Sequence, residues 1–169
     1  AGMGKTTLVE EIARLAKEGK LFDAIAMVTV KHIPNIKKIQ GEIADQLGLK
    51  FEEEKERIRA DRLRRRLEME KKVLVVLDDV WSRLDLEAVG ISSHHKGCKI
   101  LVTSRKDDLF FNDFGTQKNI YINILSKKEA RDFFNKVACD SVESSDDTDP
   151  EMEAVATELA DECGGLPLA

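Results

Sequence analysis

Few residues of this sequence could cross-link it covalently or through a metal. The 169 residues include three cysteines, Cys98, Cys139 and Cys163, and none of them belongs to a C-x-x-C pair. Of the three histidines, His94 and His95 are adjacent in a polar stretch without further candidate ligands beside them. These absences exclude a disulfide framework and a structural zinc site as the basis of the fold, and they indicate reduced cysteines.

Aromatic residues, long apolar runs and an excess of positive charge are also lacking. Aromatic residues account for 5% of the chain, so the core must consist of aliphatic side chains, which the 42% hydrophobic content supplies. No apolar run approaches the roughly 20 residues that cross a membrane as a helix, so no transmembrane segment is expected. The net charge of -5 opposes a nucleic acid as a direct partner, because a phosphate backbone attracts a basic surface.

Helical and strand patterns alternate along the first three quarters of the chain. Leu8, Ile12 and Leu15 recur at helical spacing, which predicts a helix over 5–18. The segments "AIAMVTV", "KVLVVLDD", "CKILVTSR" and "NIYINIL" are short, apolar and rich in β-branched residues, which predicts four strands. Strands that alternate with helices are typical of an α/β domain with a parallel sheet.

The pattern becomes purely helical after Leu125. A helix is predicted to begin at Ser126, where Glu129 completes a capping box, and a last helix is predicted before Gly164. The sequence therefore predicts an α/β domain over 1–125 and the start of a small helical domain over 126–169.

A charge-dense helix is predicted over the segment "EEEKERIRADRLRRRLEMEKK". Glu53 and Arg57 are four residues apart, so we expect them to pair along one side of this helix. The basic cluster that follows could indicate a nucleic-acid patch, but the acidic residues just before it favour a solvated helix face.

The first residues, "AGMGKTT", match the second half of the phosphate-loop pattern G-x-x-x-x-G-K-[ST]. The backbone N–H groups of Gly2, Met3, Gly4, Lys5, Thr6 and Thr7 would point at phosphate oxygens at the start of a helix. Lys5 would supply a positive charge for the β- and γ-phosphates, and the Thr6 hydroxyl suits Mg²⁺. The alternative is a glycine turn that merely caps a helix.

Two aspartates end the apolar strand "VLVVLDD", where a P-loop site requires an acidic group. Asp78 would hold Mg²⁺ together with Thr6, through a water molecule, and Asp79 would orient or deprotonate an attacking water. The alternative is an ordinary turn after a strand, in which aspartate is common. The next strand ends at Arg105, which could reach a terminal phosphate or could be a surface arginine.

Taken together, these motifs resemble the NB-ARC domain, the nucleotide-binding core of plant disease-resistance proteins of the leucine-rich-repeat receptor class. "GMGKTT" resembles the P-loop, "VLVVLDDVW" the second kinase motif, "KILVTSR" the sensor motif and "GGLPLA" the closing signature. The motifs follow the family's order over almost the whole chain. The resemblance implies a P-loop NTPase sheet whose first strand is missing, in a partial fragment that runs from the P-loop to the GLPLA motif.

The resemblance also implies a nucleotide switch with ATP or ADP and Mg²⁺ as cofactors. ADP would hold the resting state, ATP would hold the active state, and slow hydrolysis by Lys5 and Asp79 would reset the switch, so the protein is at most a slow ATPase. Arg105 would contact the γ-phosphate, and Pro167 would line the nucleotide pocket from the helical module.

The implied partners lie outside the chain. They are coiled-coil and leucine-rich-repeat domains of a full-length receptor, with assembly into a homo-oligomer on activation. The implied location is cytoplasmic, with membrane association only through parts not present here. Trp81 after "LDDV" resembles the coiled-coil class of these receptors rather than the Toll-like class.

Two other functions compete with the switch. A dedicated P-loop ATPase or kinase would turn over rapidly and would require a second substrate pocket, which no motif indicates. A nonfunctional or scaffolding homologue is opposed by the intact set of Lys5, Thr6, Asp78 and Asp79.

Overall fold

The computed structural model of the chain contains two compact units. The first unit comprises Thr6–Asn119, and the second comprises Ala1–Lys5 together with Ile120–Ala169. The structure describes residues 2–92, 94–106, 117–139, 155, 157–159 and 161–167. Among them, no helix combines the length and the apolar character needed to span a membrane.

Within the described residues, the first unit is built on a three-stranded parallel sheet in the order β1-β2-β3. The strand β2 is therefore central. The elements in chain order are α1 (Lys5–Glu18), β1 (Ala24–Thr29), α2 (Ile36–Gln46), α3 (Glu56–Glu68), β2 (Val73–Val80), α4 (Leu86–Val89) and β3 (Cys98–Ser104). The predicted α/β class with a parallel sheet and flanking helices is confirmed.

Both faces of the sheet are covered, which explains the continuous apolar run of β2. Val73, Val75 and Leu77 pack into a large aliphatic core with α2, α3 and α4, and we call this side the α2/α3 face. Leu74 and Val76 pack with α1 on the opposite side, the α1 face. The alternation follows from the two-residue period of a strand.

The helix α1 spans the predicted residues, but its periodic apolar stripe is not its buried side. Leu8, Ile12 and Leu15 are 43%, 37% and 52% exposed, whereas Val9 and Ala16 are buried against the sheet. The spacing of apolar residues identifies a helix, but it does not reveal which side the neighbouring strands will cover.

The predicted pair of Glu53 with Arg57 is wrong. The helix α3 begins only at Glu56, so Glu53 lies outside it and the i,i+4 geometry does not apply. Both carboxylate oxygens of Glu53 instead accept hydrogen bonds from Arg62 Nη1, at 2.7 and 2.9 Å. This ion pair lowers the pKa of Glu53, chiefly through the hydrogen bond from Arg62.

The fourth predicted strand, "NIYINIL", is absent from the described residues 117–126, and that prediction is wrong. Ile120, Tyr121 and Ile124 are 75%, 62% and 57% exposed. The Leu125 N–H donates to the Gly165 carbonyl oxygen at 2.9 Å rather than to a strand. An apolar, β-branched segment forms a strand only when a neighbouring strand pairs with its backbone, and no strand of the described residues does so.

The second unit contains the helix α5 (Lys127–Cys139), and the described residues 155, 157–159 and 161–162 are also helical. The predicted capping box is present, because the Ser126 N–H donates to Glu129 Oε2 at 2.8 Å and the Glu129 N–H donates to Ser126 Oγ at 3.3 Å. The two units divide at Asn119 and Ile120, and the domain boundary at Leu125 stays a prediction.

Candidate functional site

The carboxyl end of β2 carries a bulge that separates the two aspartates. Leu77 pairs with Val102, and the next pair is Val80 with Ser104, so two residues of β2 oppose one residue of β3. At the bulge, Asp79 adopts a φ of 55°, in the left-handed region that aspartate tolerates better than most residues. The bulge re-aims the Asp79 side chain relative to that of Asp78.

The Asp78 side chain is buried and accepts a hydrogen bond on each carboxylate oxygen. Asp78 is 1% exposed. Its Oδ2 accepts from Thr6 Oγ1 at 2.8 Å, and its Oδ1 accepts from Thr103 Oγ1 at 2.5 Å. A buried carboxylate is tolerated only when its oxygens are satisfied in this way.

The periodicities of α1 and β2 explain why residues 72 positions apart meet. Asp78 continues the series Leu74 and Val76 on β2, so it lies on the α1 face. Thr6 lies three residues before Val9, which packs on the same face, and residues three apart share one side of a helix. The packing of α1 on the sheet therefore brings the Thr6 hydroxyl to the Asp78 carboxylate.

The oxygen atoms of Thr6 and Asp78 fit a magnesium ion. The Thr6 hydroxyl donates its one proton to Asp78, which leaves its lone pairs for a cation. Thr6 is exposed whereas Asp78 is buried behind it. Within the described ranges, no group of three or more His, Cys, Asp or Glu residues could hold a metal. Mg²⁺ usually keeps several waters and takes phosphate oxygens as further ligands, so it needs few oxygen atoms from the protein.

The glycine loop before α1 has the backbone of an anion-binding turn. Gly2 and Gly4 have φ values of 79° and 74°, which a residue with a Cβ adopts only with strain. The helix begins at Lys5 and carries no acidic residue in its first turn. The N–H groups of this first turn, including that of Thr7, lack intrahelical partners, so the loop and helix start can bind a phosphate.

Asp79, Trp81 and Arg105 form a second polar cluster at the same sheet edge. Arg105 Nε donates to Asp79 Oδ1 at 3.1 Å, and Trp81 Nε1 donates to Asp79 Oδ2 at 2.9 Å. The Arg105 guanidinium carbon lies 4.8 Å from the centre of the Trp81 ring. The centres of the His32 and Trp81 rings are 5.2 Å apart. Asp79, which was predicted for catalysis, is thus paired with Arg105, which was predicted to sense the γ-phosphate.

Pro167 belongs to the second unit, together with the first residues of the chain. A Cβ added to Gly4, which is in the same unit, would lie 3.8 Å from Pro167 Cγ. The structure therefore places Pro167 within van der Waals reach of the predicted glycine loop.

Sequence reasoning missed Thr103 and the contacts of Trp81. The Thr103 hydroxyl donates to Asp78 and accepts from the Asp79 N–H at 2.9 Å. Its position in "KILVTSR", at the end of a strand beside the aspartates, was the available signal. In the sequence Trp81 is notable only for its resemblance to the coiled-coil class, whereas in the structure its side chain donates to Asp79.

Comparison with known proteins yields one family and a set of curated relatives. Residues 1–144 match the NB-ARC domain. The chain is 33% identical over 173 residues to the probable disease resistance protein At1g61310 and 34% identical over 173 residues to the disease resistance protein UNI. It is also 34% identical over 179 residues to the disease resistance protein RPS5. All three are from Arabidopsis thaliana; each match covers 99% of this chain and 18% to 19% of the relative. The chain thus spans about a fifth of their length.

Proposed function

The chain belongs to the NB-ARC domain family, and we propose that it is the ATP/ADP-binding switch module of a plant immune receptor acting in defence. The observation that carries the proposal is the hydrogen bond from Thr6 Oγ1 to Asp78 Oδ2, at 2.8 Å. It joins the helix start that follows the glycine loop to the carboxyl end of the central strand. These are the two elements from which a P-loop nucleotide site is built.

In this proposal the loop binds the phosphates through its backbone. The N–H groups from Gly2 to Thr7 would donate to phosphate oxygens, and the dipole of α1 would favour their negative charge. The Lys5 ammonium would neutralise the β- and γ-phosphates. Pro167 would pack beside this loop at Gly4, which belongs to the same unit.

Thr6 and Asp78 would hold the magnesium ion, Thr6 directly and Asp78 through water. When bound, the ion would neutralise charge on the nucleotide phosphates. The Asp78 carboxylate would keep the Thr6 proton turned inward, so that the hydroxyl oxygen faces the ion.

Arg105 would make the site sensitive to the γ-phosphate. Its side chain is 42% exposed and is paired with Asp79. A terminal phosphate would offer it a competing anion with matching geometry. ATP carries this phosphate and ADP does not, so the contact would stabilise one conformation over the other, as a population shift requires.

The contacts of Asp79 favour slow hydrolysis over rapid turnover. Both of its carboxylate oxygens accept hydrogen bonds, one from Arg105 and one from Trp81. Each oxygen keeps a second lone pair, so an attacking water would have to share the carboxylate with the Arg105 and Trp81 donors. A dedicated ATPase or kinase is therefore the less favoured alternative.

The wider assignment rests on the relatives, which are named disease resistance proteins. We propose that the chain works within a longer, cytoplasmic receptor with coiled-coil and leucine-rich-repeat domains. Activation would assemble that receptor into a homo-oligomer. The coiled-coil class, inferred from Trp81, stays a prediction.

The Lys5→Ala variant tests nucleotide binding directly. It should weaken the affinity of the purified chain for fluorescent ADP and ATP by about 10- to 100-fold, because a charged hydrogen bond to phosphate is lost. Lys17→Ala, in the last turn of the same helix, is the matched control and should leave both affinities unchanged. Equal binding by Lys5→Ala and the parent chain would remove Lys5 from its role.

Turnover measurement separates the switch from the alternative enzyme. A switch should hydrolyse ATP at about 10⁻⁴ to 10⁻² per second, whereas kinases reach about 1–100 per second. A steady rate of about 1–100 per second would favour the dedicated ATPase or kinase.

A further inference from the structure

Thr103 connects the two aspartates of the site through one hydroxyl group. It lies near the end of β3, opposite the bulge of β2, and is 7% exposed. Its Oγ1 donates to Asp78 Oδ1 at 2.5 Å and accepts from the Asp79 N–H at 2.9 Å. The same atom therefore contacts a side chain on one aspartate and the backbone of the next.

This contact requires a hydroxyl. A hydroxyl carries one proton to donate and two lone pairs to accept, so it can serve both aspartates at once. Valine has nearly the same shape but neither function, and serine keeps both functions. The chemistry of Thr103 can therefore be separated from its volume.

The hydroxyl fixes the orientation of the Asp78 carboxylate relative to the helix α1. With Oδ1 bound to Thr103, Oδ2 is left to accept from Thr6. Asp78 is 1% exposed, so bulk water has little access to replace a lost partner. Without the Thr103 donor, the carboxylate would be free to rotate and the Thr6 hydroxyl would lose its fixed acceptor.

We propose that Thr103 is a positioning residue of the nucleotide site, which sets the Asp78 carboxylate and the Thr6 hydroxyl in the orientation that receives Mg²⁺. The inference rests on the proposed nucleotide-binding function and adds to it a residue that touches neither the ion nor the phosphates. Residues that orient metal ligands typically change metal affinity by about 10- to 100-fold when they are removed.

The test is a magnesium titration of nucleotide binding by the purified chain. Fluorescent ADP is bound first in EDTA and then at increasing Mg²⁺, and melting temperature is recorded for every variant. Thr103→Val should bind ADP in EDTA as the parent chain does. The Mg²⁺ concentration that gives half of the magnesium-dependent gain in ADP affinity, the magnesium midpoint, should rise by about 10- to 100-fold. Thr103→Ser should restore the parent titration.

Thr29→Val is the matched control. Thr29 ends the neighbouring strand β1 and pairs through its backbone register with Asp78. Its side chain is exposed, and the hydroxyls that donate to Asp78 in the described part of the chain are those of Thr6 and Thr103. The same chemical change there should leave the magnesium midpoint unchanged.

Each outcome is decisive. A Thr103→Val midpoint equal to that of the parent chain would overturn the inference and leave the proposed function intact. A parent chain whose ADP binding does not respond to Mg²⁺ would overturn the inference, and a parent chain that binds no ADP at all would overturn the proposed function as well. If Thr103→Val does not fold, Thr103→Cys is compared with Thr103→Ser, since a thiol is a weak donor of similar size. A higher midpoint for the cysteine variant supports the inference, and equal midpoints contradict it.

Discussion

The two faces of the same sheet bury different amounts of apolar surface and serve different ends. The α2/α3 face joins three helices to the odd-numbered residues of β2 in the larger core of the first unit. On the α1 face, a smaller buried cluster comprises Val9, Ala16, Leu74 and Val76. The series of β2 residues on that face ends not in a further apolar side chain but in the buried carboxylate of Asp78.

The difference indicates that stability and chemistry are divided between the faces. The proposed phosphate site lies at the ends of the strands, and among the described residues α1 is the helix that packs on this face of the sheet. The α1 face brings Thr6 to Asp78, whereas the α2/α3 face brings no proposed ligand to the site. Substitutions on the two faces should therefore separate loss of folding from loss of binding.

The largest expected effect is a core truncation on the α2/α3 face. Leu63 is 0% exposed on α3, and Leu63→Ala should lower the free energy of unfolding by about 2–5 kcal/mol, because it leaves a cavity in a well-packed core. Leu74→Ala makes the same change on the α1 face and should have a smaller effect, since neighbouring groups and water can fill the space more easily. Urea unfolding of both variants measures the difference.

Equal or greater destabilisation by Leu74→Ala would break the comparison. It would mean that the α1 face contributes as much packing energy as the opposite face, and that binding and stability cannot be separated by face. An unchanged denaturant slope in both variants is the control that the same unfolding transition is being compared.

A smaller effect is expected from pH at the margin of the α2/α3 face. Cys98 begins β3 and packs against the larger core, and burial raises the pKa of its thiol. The folded state therefore disfavours the thiolate. The free energy of unfolding is not reduced by this thiol below the pKa of about 8.5 that it has in the unfolded chain. It decreases as the pH rises from that value through the higher pKa of the folded state.

The measurement is urea unfolding between pH 7 and pH 10 in a reducing buffer. Cys98→Ala is the matched variant and should show a shallower loss of stability with pH than the parent chain. Parallel pH profiles for the two proteins would show that the thiol is not held in a buried environment, and would weaken the description of this face as tightly packed.

The sequence was sufficient for features that depend on local periodicity and on motif order. The bounds of α1 were predicted from apolar spacing, and the capping box of Ser126 and Glu129 from residue type alone. The apolar run of β2 identified a central parallel strand. The assignment to the NB-ARC family followed from motifs in order and is confirmed.

The features that the sequence could not supply depend on neighbours in space. The prediction of a fourth strand is wrong because residues 119–125 have β-branched side chains but no pairing strand in the described structure. The exposed stripe of α1 is helical in spacing, yet Val9 and Ala16 face the sheet. The apolar pattern of a sequence does not show which side of a helix or strand the neighbouring elements will cover.

The proximity of Thr6 and Asp78 was predictable from the sequence, but the other contacts of the candidate site were not. Thr6 and Asp78 were paired by chemical reasoning about Mg²⁺, and the structure places them in hydrogen-bond contact. The left-handed backbone of Asp79 and the bridging hydroxyl of Thr103 arise from the bulge between β2 and β3. A bulge depends on strand register, which a single strand sequence does not encode.

The most direct test of the central claim is a double-mutant cycle on Thr6 and Asp78. Affinity for fluorescent ADP is measured with and without Mg²⁺ in the parent chain, Thr6→Val, Asp78→Asn and the double variant. If the two side chains form one magnesium site, each single variant should lose most of the magnesium-dependent affinity and the double variant should lose little more, with a coupling energy of about 0.5–3 kcal/mol. Losses that simply add, or single variants that keep the full response to Mg²⁺, would contradict the account.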